Sequence, residues 1–195
     1  MRNVVVSEYV TLDGVMEDPG GVDTFKEGNW HFPFLNEEAQ KYKHDELFAC
    51  DALLLGRRTY QEFAPVWPQV SDETGYADRI NSLPKYVVST TLSELSWNNS
   101  RLIKGNLAQE VTKLKHEAGQ DILVFGSGEL VYQLAQENLI DEYRIMIHPV
   151  IVGSGKRLFG ERSTPKAFRL VSSKRLGASI VMLTYQPIPF VLTPG

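Results

Sequence analysis

The chain reads as a three-layer α/β/α sandwich on a mixed sheet of about eight strands, and three observations predict it. Up to about residue 140, short apolar or β-branched runs alternate with segments of helical spacing, the order that gives parallel strands covered by helices. Beyond residue 143 the runs follow one another directly: 168–172 and 180–185 flank Lys174-Arg175-Leu176-Gly177, which predicts a closing antiparallel hairpin. Two apolar runs also end at a glycine just before a helix-like segment, Leu53-Leu54-Leu55-Gly56-Arg57-Arg58-Thr59-Tyr60 and Ile122-Leu123-Val124-Phe125-Gly126-Ser127-Gly128-Glu129-Leu130. At 195 residues and 43% hydrophobic, the chain can bury one sizeable core, and we read 1–195 as one domain.

In order, residues 3–10 are short and β-branched, although Ser7 and Glu8 interrupt their apolar character, and they run into the turn Thr11-Leu12-Asp13-Gly14. A long loop through Pro19-Gly20-Gly21 continues to about Pro33. Asn36 then caps a helix whose first turn holds Glu37 and Glu38; Ala39, Tyr42, Leu47 and Phe48 form its expected apolar stripe, and Asp45 and Glu46 read as solvated. Strands follow at 52–55 and 86–89. Leu107, Val111, Leu114 and Ala118 mark a helix over 107–118, ahead of a strand at 122–125. Gly128 opens another helix with Leu130, Val131, Leu134 and Ala135 inward, and 143–152 reads as a strand before the hairpin.

Charge and motifs exclude several classes. A net charge of −4 argues against an electrostatic grip on nucleic acid. Cys50 is the only cysteine, which excludes an intrachain disulfide and a multi-cysteine zinc site and suits a reducing compartment. With no leading basic-then-apolar segment and no long apolar run, no membrane association is expected and the expected location is the cytoplasm. There is no glycine-lysine-serine/threonine phosphate loop, no HExxH helix and no nucleophile elbow, and Val131 stands where a Rossmann fingerprint needs a third small residue. His31, His44, His116 and His148 lack metal-ligand spacing, so no metal is expected; His148, beside Pro149, reads as packed.

The positive signal is the pair of glycine turns. A buried strand that ends at glycine and opens a helix presents backbone N–H groups and positive dipole to an anion. Two such turns suit a ligand with two anionic ends, and the guanidinium groups of Arg57 and Arg58 favour phosphate, so a dinucleotide fits better than a single carboxylate. Turn chemistry alone also places glycine after a strand.

In the order of these pieces, the chain resembles the dihydrofolate reductase-like superfamily, and within it the reductase (C-terminal) domain of bifunctional riboflavin-biosynthesis proteins. The segments that carry the resemblance are Thr11-Leu12-Asp13-Gly14, Leu55 to Tyr60, Tyr86-Val87-Val88-Ser89-Thr90, Val124 to Leu130, and His148-Pro149-Val150-Ile151-Val152-Gly153-Ser154-Gly155-Lys156-Arg157-Leu158-Phe159. The resemblance implies a reductase using NADPH, with the pyrophosphate between Gly56-Arg57-Arg58-Thr59 and the turn formed by Phe125, Gly126, Ser127, Gly128, Glu129 and Leu130. Arg57, Ser89 and Thr90 match positions facing the adenosine and its 2′-phosphate, and Val15 and Met16 match a segment that covers the nicotinamide. Two departures stand out: a chain with one cysteine cannot hold the zinc deaminase domain of the bifunctional proteins, and Ser7 occupies a strand-one position where riboflavin reductases tend to carry lysine.

Dihydrofolate reductases place a carboxylate near the start of the first helix. Glu38 is the best match, Glu37 the next, and Tyr42 one turn on would face a heterocycle, although the helix dipole alone favours acidic residues there. Trp30, Phe32 and Phe34 either wall a substrate pocket or anchor the long loop, and Lys156 and Arg157 are candidates for a substrate phosphate. The expected activity is hydride transfer to a small pteridine- or pyrimidine-like heterocycle, similar to 5-amino-6-(5-phosphoribosylamino)uracil reductase. The alternatives are dihydrofolate reductase activity or a nucleotide-binding or oligomerisation module without turnover. The apolar tail Pro187-Ile188-Pro189-Phe190-Val191-Leu192 points to a homodimer built on the C-terminal sheet edge or the tail itself.

Overall fold

A computed structural model describes residues 1–22, 25–160 and 163–190. Eight strands form one sheet in the order β4-β3-β2-β5-β1-β6-β8-β7. Their ranges are β1 Val4–Thr11, β2 Cys50–Gly56, β3 Lys85–Val88, β4 Ser100–Ile103, β5 Asp121–Phe125, β6 Glu142–His148, β7 Ala167–Leu176 and β8 Ile180–Ile188. The first six in spatial order run parallel, and β8 and β7 close the sheet antiparallel. The central strands carry apolar residues on both faces because helices cover both. Val4, Val6, Ile122 and Val124 pack against α4 (Leu107–His116) and α5 (Gly128–Gln136); Val5, Leu53, Leu55 and Leu123 pack against α1 (Glu37–Ala49), α2 (Arg57–Phe63) and α3 (Tyr76–Ser82). Each such fully buried side chain contributes about 1.5–3 kcal/mol through area removed from water.

Several boundaries differ from the sequence reading. The sixth strand stops at His148 rather than 152 because Pro149 has no N–H for the ladder. Helix α4 ends at His116; Glu117 turns extended and Ala118 lies outside. The hairpin strand β7 runs through Lys174 and Arg175 to Leu176, and the turn begins at Gly177, whose φ of +64° suits glycine. Helix α3 and strand β4, seven and four residues long, are too short to show a period.

The largest correction concerns α1. Asn36 caps it as expected, its side chain accepting from the Ala39 N–H at 3.0 Å, but the buried face is Ala39, Lys43, Glu46 and Leu47. Phe48 is exposed, and Glu46, expected in solvent, is 4% exposed. A helix that buries a cation and an anion three residues apart defeats an apolar-stripe reading.

Candidate active site

The parallel strands all end on one edge of the sheet, and there the described residues surround a cleft of about 2120 Å³. Ligand pockets run to roughly 1,000 Å³, so this one has room for a dinucleotide beside a second molecule. Its floor follows from strand lengths. β5 pairs with β1 only as far as Ser7↔Phe125, while β1 continues beside β6 to Thr11↔His148, which leaves Ser7, Glu8 and Tyr9 lining the cleft.

On one side the two glycine turns meet, because β2 and β5 are neighbours. The Gly56 N–H donates to Ser127 Oγ (2.9 Å), the Ser127 N–H donates to Thr59 Oγ1 (2.9 Å), and the two hydroxyls are 3.0 Å apart. Ser127 sits at φ +59°, and its side chain makes no capping hydrogen bond to α5. Both glycines are closely packed: a Cβ on Gly126 would stand 3.0 Å from Thr59 Oγ1, and one on Gly128 would stand 2.9 Å from Met16 Sδ. Helix α2 spans only seven residues, so its contribution rests on its arginines rather than its dipole. Arg58 lies between Glu17 (3.8 Å) and Glu62 (3.3 Å), whereas Arg57 is exposed and makes no ion pair among the described residues.

Of the sequence-derived cofactor positions, Met16, Gly56, Arg57, Arg58, Thr59, Ser89, Thr90, Phe125, Gly126, Ser127, Gly128, Glu129 and Leu130 line the cleft. Two differ in detail. The Val15 side chain is fully buried and does not line it. Ser89 spends its hydroxyl locally, accepting from the N–H groups of Thr91 (3.2 Å) and Leu92 (3.0 Å), which leaves Thr90 exposed beside it. The loop carrying Val15 and Met16 is pinned to the 150–158 segment: the Leu12 N–H donates to the Val150 carbonyl, the Met16 N–H to that of Lys156, and Asp13 accepts from the Gly153 N–H at 2.9 Å. The Thr11 hydroxyl, foremost, holds the Asp13 carboxyl below its usual range.

Glu38 and Tyr42 are not brought to the cleft. Glu38 is exposed and absent from its lining, though Glu37 is present. Tyr42 faces the β6–β8 side and packs with Met146, Leu176 and Met182. The next turn of α1 projects Lys43 under the floor instead. Its Nζ donates to Ser7 Oγ at 2.7 Å and to Glu46 Oε2 at 2.6 Å, and it lies 4.3 Å from the Phe125 ring centroid. Glu46 accepts in addition from Ser7 Oγ (2.8 Å) and pairs with Arg144 of β6 at 3.4 Å. Position 7, where the resemblance would have a lysine, thus has a serine with an ammonium group supplied from α1.

Beside this cluster lies Glu8, 4% exposed. Its Oε2 accepts from the Gly126 N–H at 3.0 Å, and its Oε1 has no hydrogen-bond partner among the described residues. Burial raises its pKa well above the usual carboxylate value, against the opposing pull of Lys43. Sequence reasoning passed over Glu8 and Lys43. The available signal was a carboxylate inside an otherwise apolar strand.

The far end of the cleft is aromatic. Tyr9 and His31 stack at 5.1 Å, His31 meets Phe32 at 4.3 Å, and His148 packs edge-on to Tyr9 and Trp30. Burial lowers the pKa of His31 and takes that of His148 down to about 4, so both rings are neutral at neutral pH. Trp30 anchors the long loop, its Nε1 donating to the Glu17 carbonyl at 2.8 Å, while Phe32 lines the cleft. No helix among the described residues is long and apolar enough to cross a membrane.

The family model for the RibD C-terminal domain matches residues 2–182. Two proteins of Bacillus subtilis (strain 168), YyaP and YwjB, both uncharacterised, are each 29% identical, over 94% and 92% of this chain and 94% and 95% of their own. Among solved structures, a protein of Shewanella sp. PV-4 provisionally described as a riboflavin biosynthesis protein superposes with a TM-score of 0.74 at 24% identity, over 97% of this chain and all of its own. The diaminohydroxyphosphoribosylaminopyrimidine deaminase/5-amino-6-(5-phosphoribosylamino)uracil reductase of Thermotoga maritima superposes with a TM-score of 0.64 at 16% identity, over 96% of this chain and 57% of its own. The eight-stranded mixed sheet is the fold these structures share with the chain, and the match over residues 2–182 identifies it as a member of the RibD C-terminal domain family.

Proposed function

We propose that the protein is an NADPH-dependent reductase that delivers hydride to a C=N or C=C bond of a small, flat heterocycle of pteridine or pyrimidine type. The observation that carries this reading is the junction of the two glycine turns, Gly56 to Ser127 and Ser127 to Thr59, at the mouth of one large cleft beside the uncapped start of α5. The residues fit the cofactor. Gly126 and Gly128 keep side chains out of the space where a pyrophosphate would meet the N–H groups of α5. Arg57 and Thr90 offer a guanidinium and a hydroxyl to a 2′-phosphate. NADPH, when bound, supplies the hydride. Tyr9, His31 and Phe32 supply flat, uncharged walls for a heterocycle, and Lys156 and Arg157 stand at the rim for an anionic substituent.

The single cysteine, Cys50, is a buried thiol that suits a reducing, cytoplasmic setting. A two-fold homodimer is part of the same reading. β7 is a ten-residue edge strand, and Leu170, Val171 and Val181 expose apolar surface there. Val191 and Leu192 of the expected tail contact lie outside the described residues. Incubation of the enzyme with NADPH and, separately, dihydrofolate, dihydrobiopterin and the ribosylaminopyrimidine precursor of riboflavin tests the reaction. Oxidation of NADPH with one of them supports it, and no oxidation with any heterocycle alongside no NADPH binding rejects it.

A further inference from the structure

We propose that Glu8 of β1 is the proton donor of the site, and that its Oε1 holds the proton a reduced nitrogen needs. The inference rests on the reductase reading above but uses different atoms. Glu8 lines the cleft floor, is buried to better than nine-tenths, and has its two oxygens in different situations: Oε2 is fixed by the Gly126 N–H and Oε1 is unpaired among the described residues. An ionised carboxylate left in that state pays for desolvation with one hydrogen bond only, whereas a protonated carboxyl turns the unpaired oxygen into an O–H donor. The Gly126 bond also ties the acid to the turn that begins the proposed pyrophosphate cradle, so cofactor and proton source share one rigid element.

The charged groups around it keep the carboxyl in that role. Lys43 from α1 is the nearby cation, but its ammonium is engaged by Ser7 and Glu46, and Arg144 from β6 is engaged by Glu46 and Glu142. Glu46, from α1, adds negative charge that disfavours a second ionised carboxylate. The Gly126 turn presents only its backbone. In the reaction the proton leaves Oε1 for the nitrogen of a C=N bond while the adjoining carbon takes up hydride, with its electron pair, from the reduced nicotinamide. The products are an N–H, a C–H, oxidised nicotinamide and a Glu8 carboxylate, which takes up a proton from solvent before the next turnover. The substrate class this selects is a ring with an imine nitrogen next to the reduced carbon.

The test follows the carboxyl carbons of the full-length, ligand-free protein, labelled with carbon-13 glutamate, by NMR across the acid-to-neutral range in wild type, Glu8→Gln and Glu38→Gln. Glutamine keeps the acceptor for the Gly126 N–H, and a thermal melt verifies folding. One glutamate that titrates well above the others, missing from Glu8→Gln and retained in Glu38→Gln, is the expected result. A spectrum in which all glutamates titrate in the usual range, or in which the high one survives Glu8→Gln, overturns the assignment. In turnover with whichever heterocycle the screen finds, Glu8→Gln is expected to lower kcat by about 10²–10⁴-fold and to abolish the alkaline fall of the wild-type pH profile; kcat within about threefold of wild type overturns it. Titration of wild type with NADPH separates the two claims, since failure to bind rejects the reductase reading whatever Glu8 does.

Discussion

Arg57 is an exposed guanidinium with no carboxylate partner among the described residues, in contrast to Arg58, and that freedom makes it the residue on which 2′-phosphate recognition turns. Arg57→Ala is expected to weaken NADPH by about 1.5–3 kcal/mol, the range for hydrogen bonds to charged groups, and to leave NADH nearly unchanged; paired fluorescence titrations measure both. Lys43 illustrates the opposite case, a charge that must not lose its partner. Lys43→Met leaves the buried Glu46 carboxylate with Ser7 and the longer Arg144 contact alone, and is expected to cost about 3 kcal/mol in urea unfolding. Adding Glu46→Leu should return most of that loss, because the unpaired charge goes with it. These residues were the least legible in the sequence. Glu46 looked like ordinary helix surface and Lys43 carried no signal, and only the pleat of β1, which turns Ser7 toward α1, shows why they are inside.

At the scale of elements, turns and strand ends carry the site, and here the sequence was informative. The glycines after β2 and β5 announced strand-to-helix turns, and both turns line the cleft. What local pattern could not supply was the adjacency of β2 and β5, a consequence of sheet order, or the early end of β5 that uncovers Glu8. A Cβ at Gly128 would meet only the flexible end of Met16, so Gly128→Val is expected to fold with a small loss of melting temperature and to lose NADPH binding. A large stability loss with affinity retained in the folded fraction would assign that glycine to the turn alone. The aromatic end of the cleft gives a pH dependence. His148 has its pKa depressed from 6.5 to about 4, so the unfolded chain binds the proton more readily, and this share of stability is present above pH 6.5 and lost as pH falls toward 4. The loss amounts to about 3 kcal/mol. Glu8 acts in the opposite sense, because a raised pKa makes its contribution fall as pH rises. The difference between wild type and His148→Phe in urea unfolding at neutral and mildly acid pH isolates the histidine, and the variant is expected to show the shallower acid decline.

For the whole molecule, the alternation of strands and helices followed by a hairpin was enough to give a mixed sheet with an antiparallel close, since both signals are local in sequence, whereas the short β4 left no pattern of its own. Assembly is a property of exposed surface and is not written in periodicity. Light scattering over a dilution series is expected to give a dimer mass at micromolar concentration, and Val171→Lys on the edge strand to shift it toward monomer. The central claim, that the joined glycine turns hold a phosphorylated dinucleotide, is tested most directly by titrating the wild-type protein with NADPH and NADH while following cofactor fluorescence. Saturable NADPH binding at least about tenfold tighter than NADH is the expected result. Equal affinity for the two, or binding of neither, would contradict it.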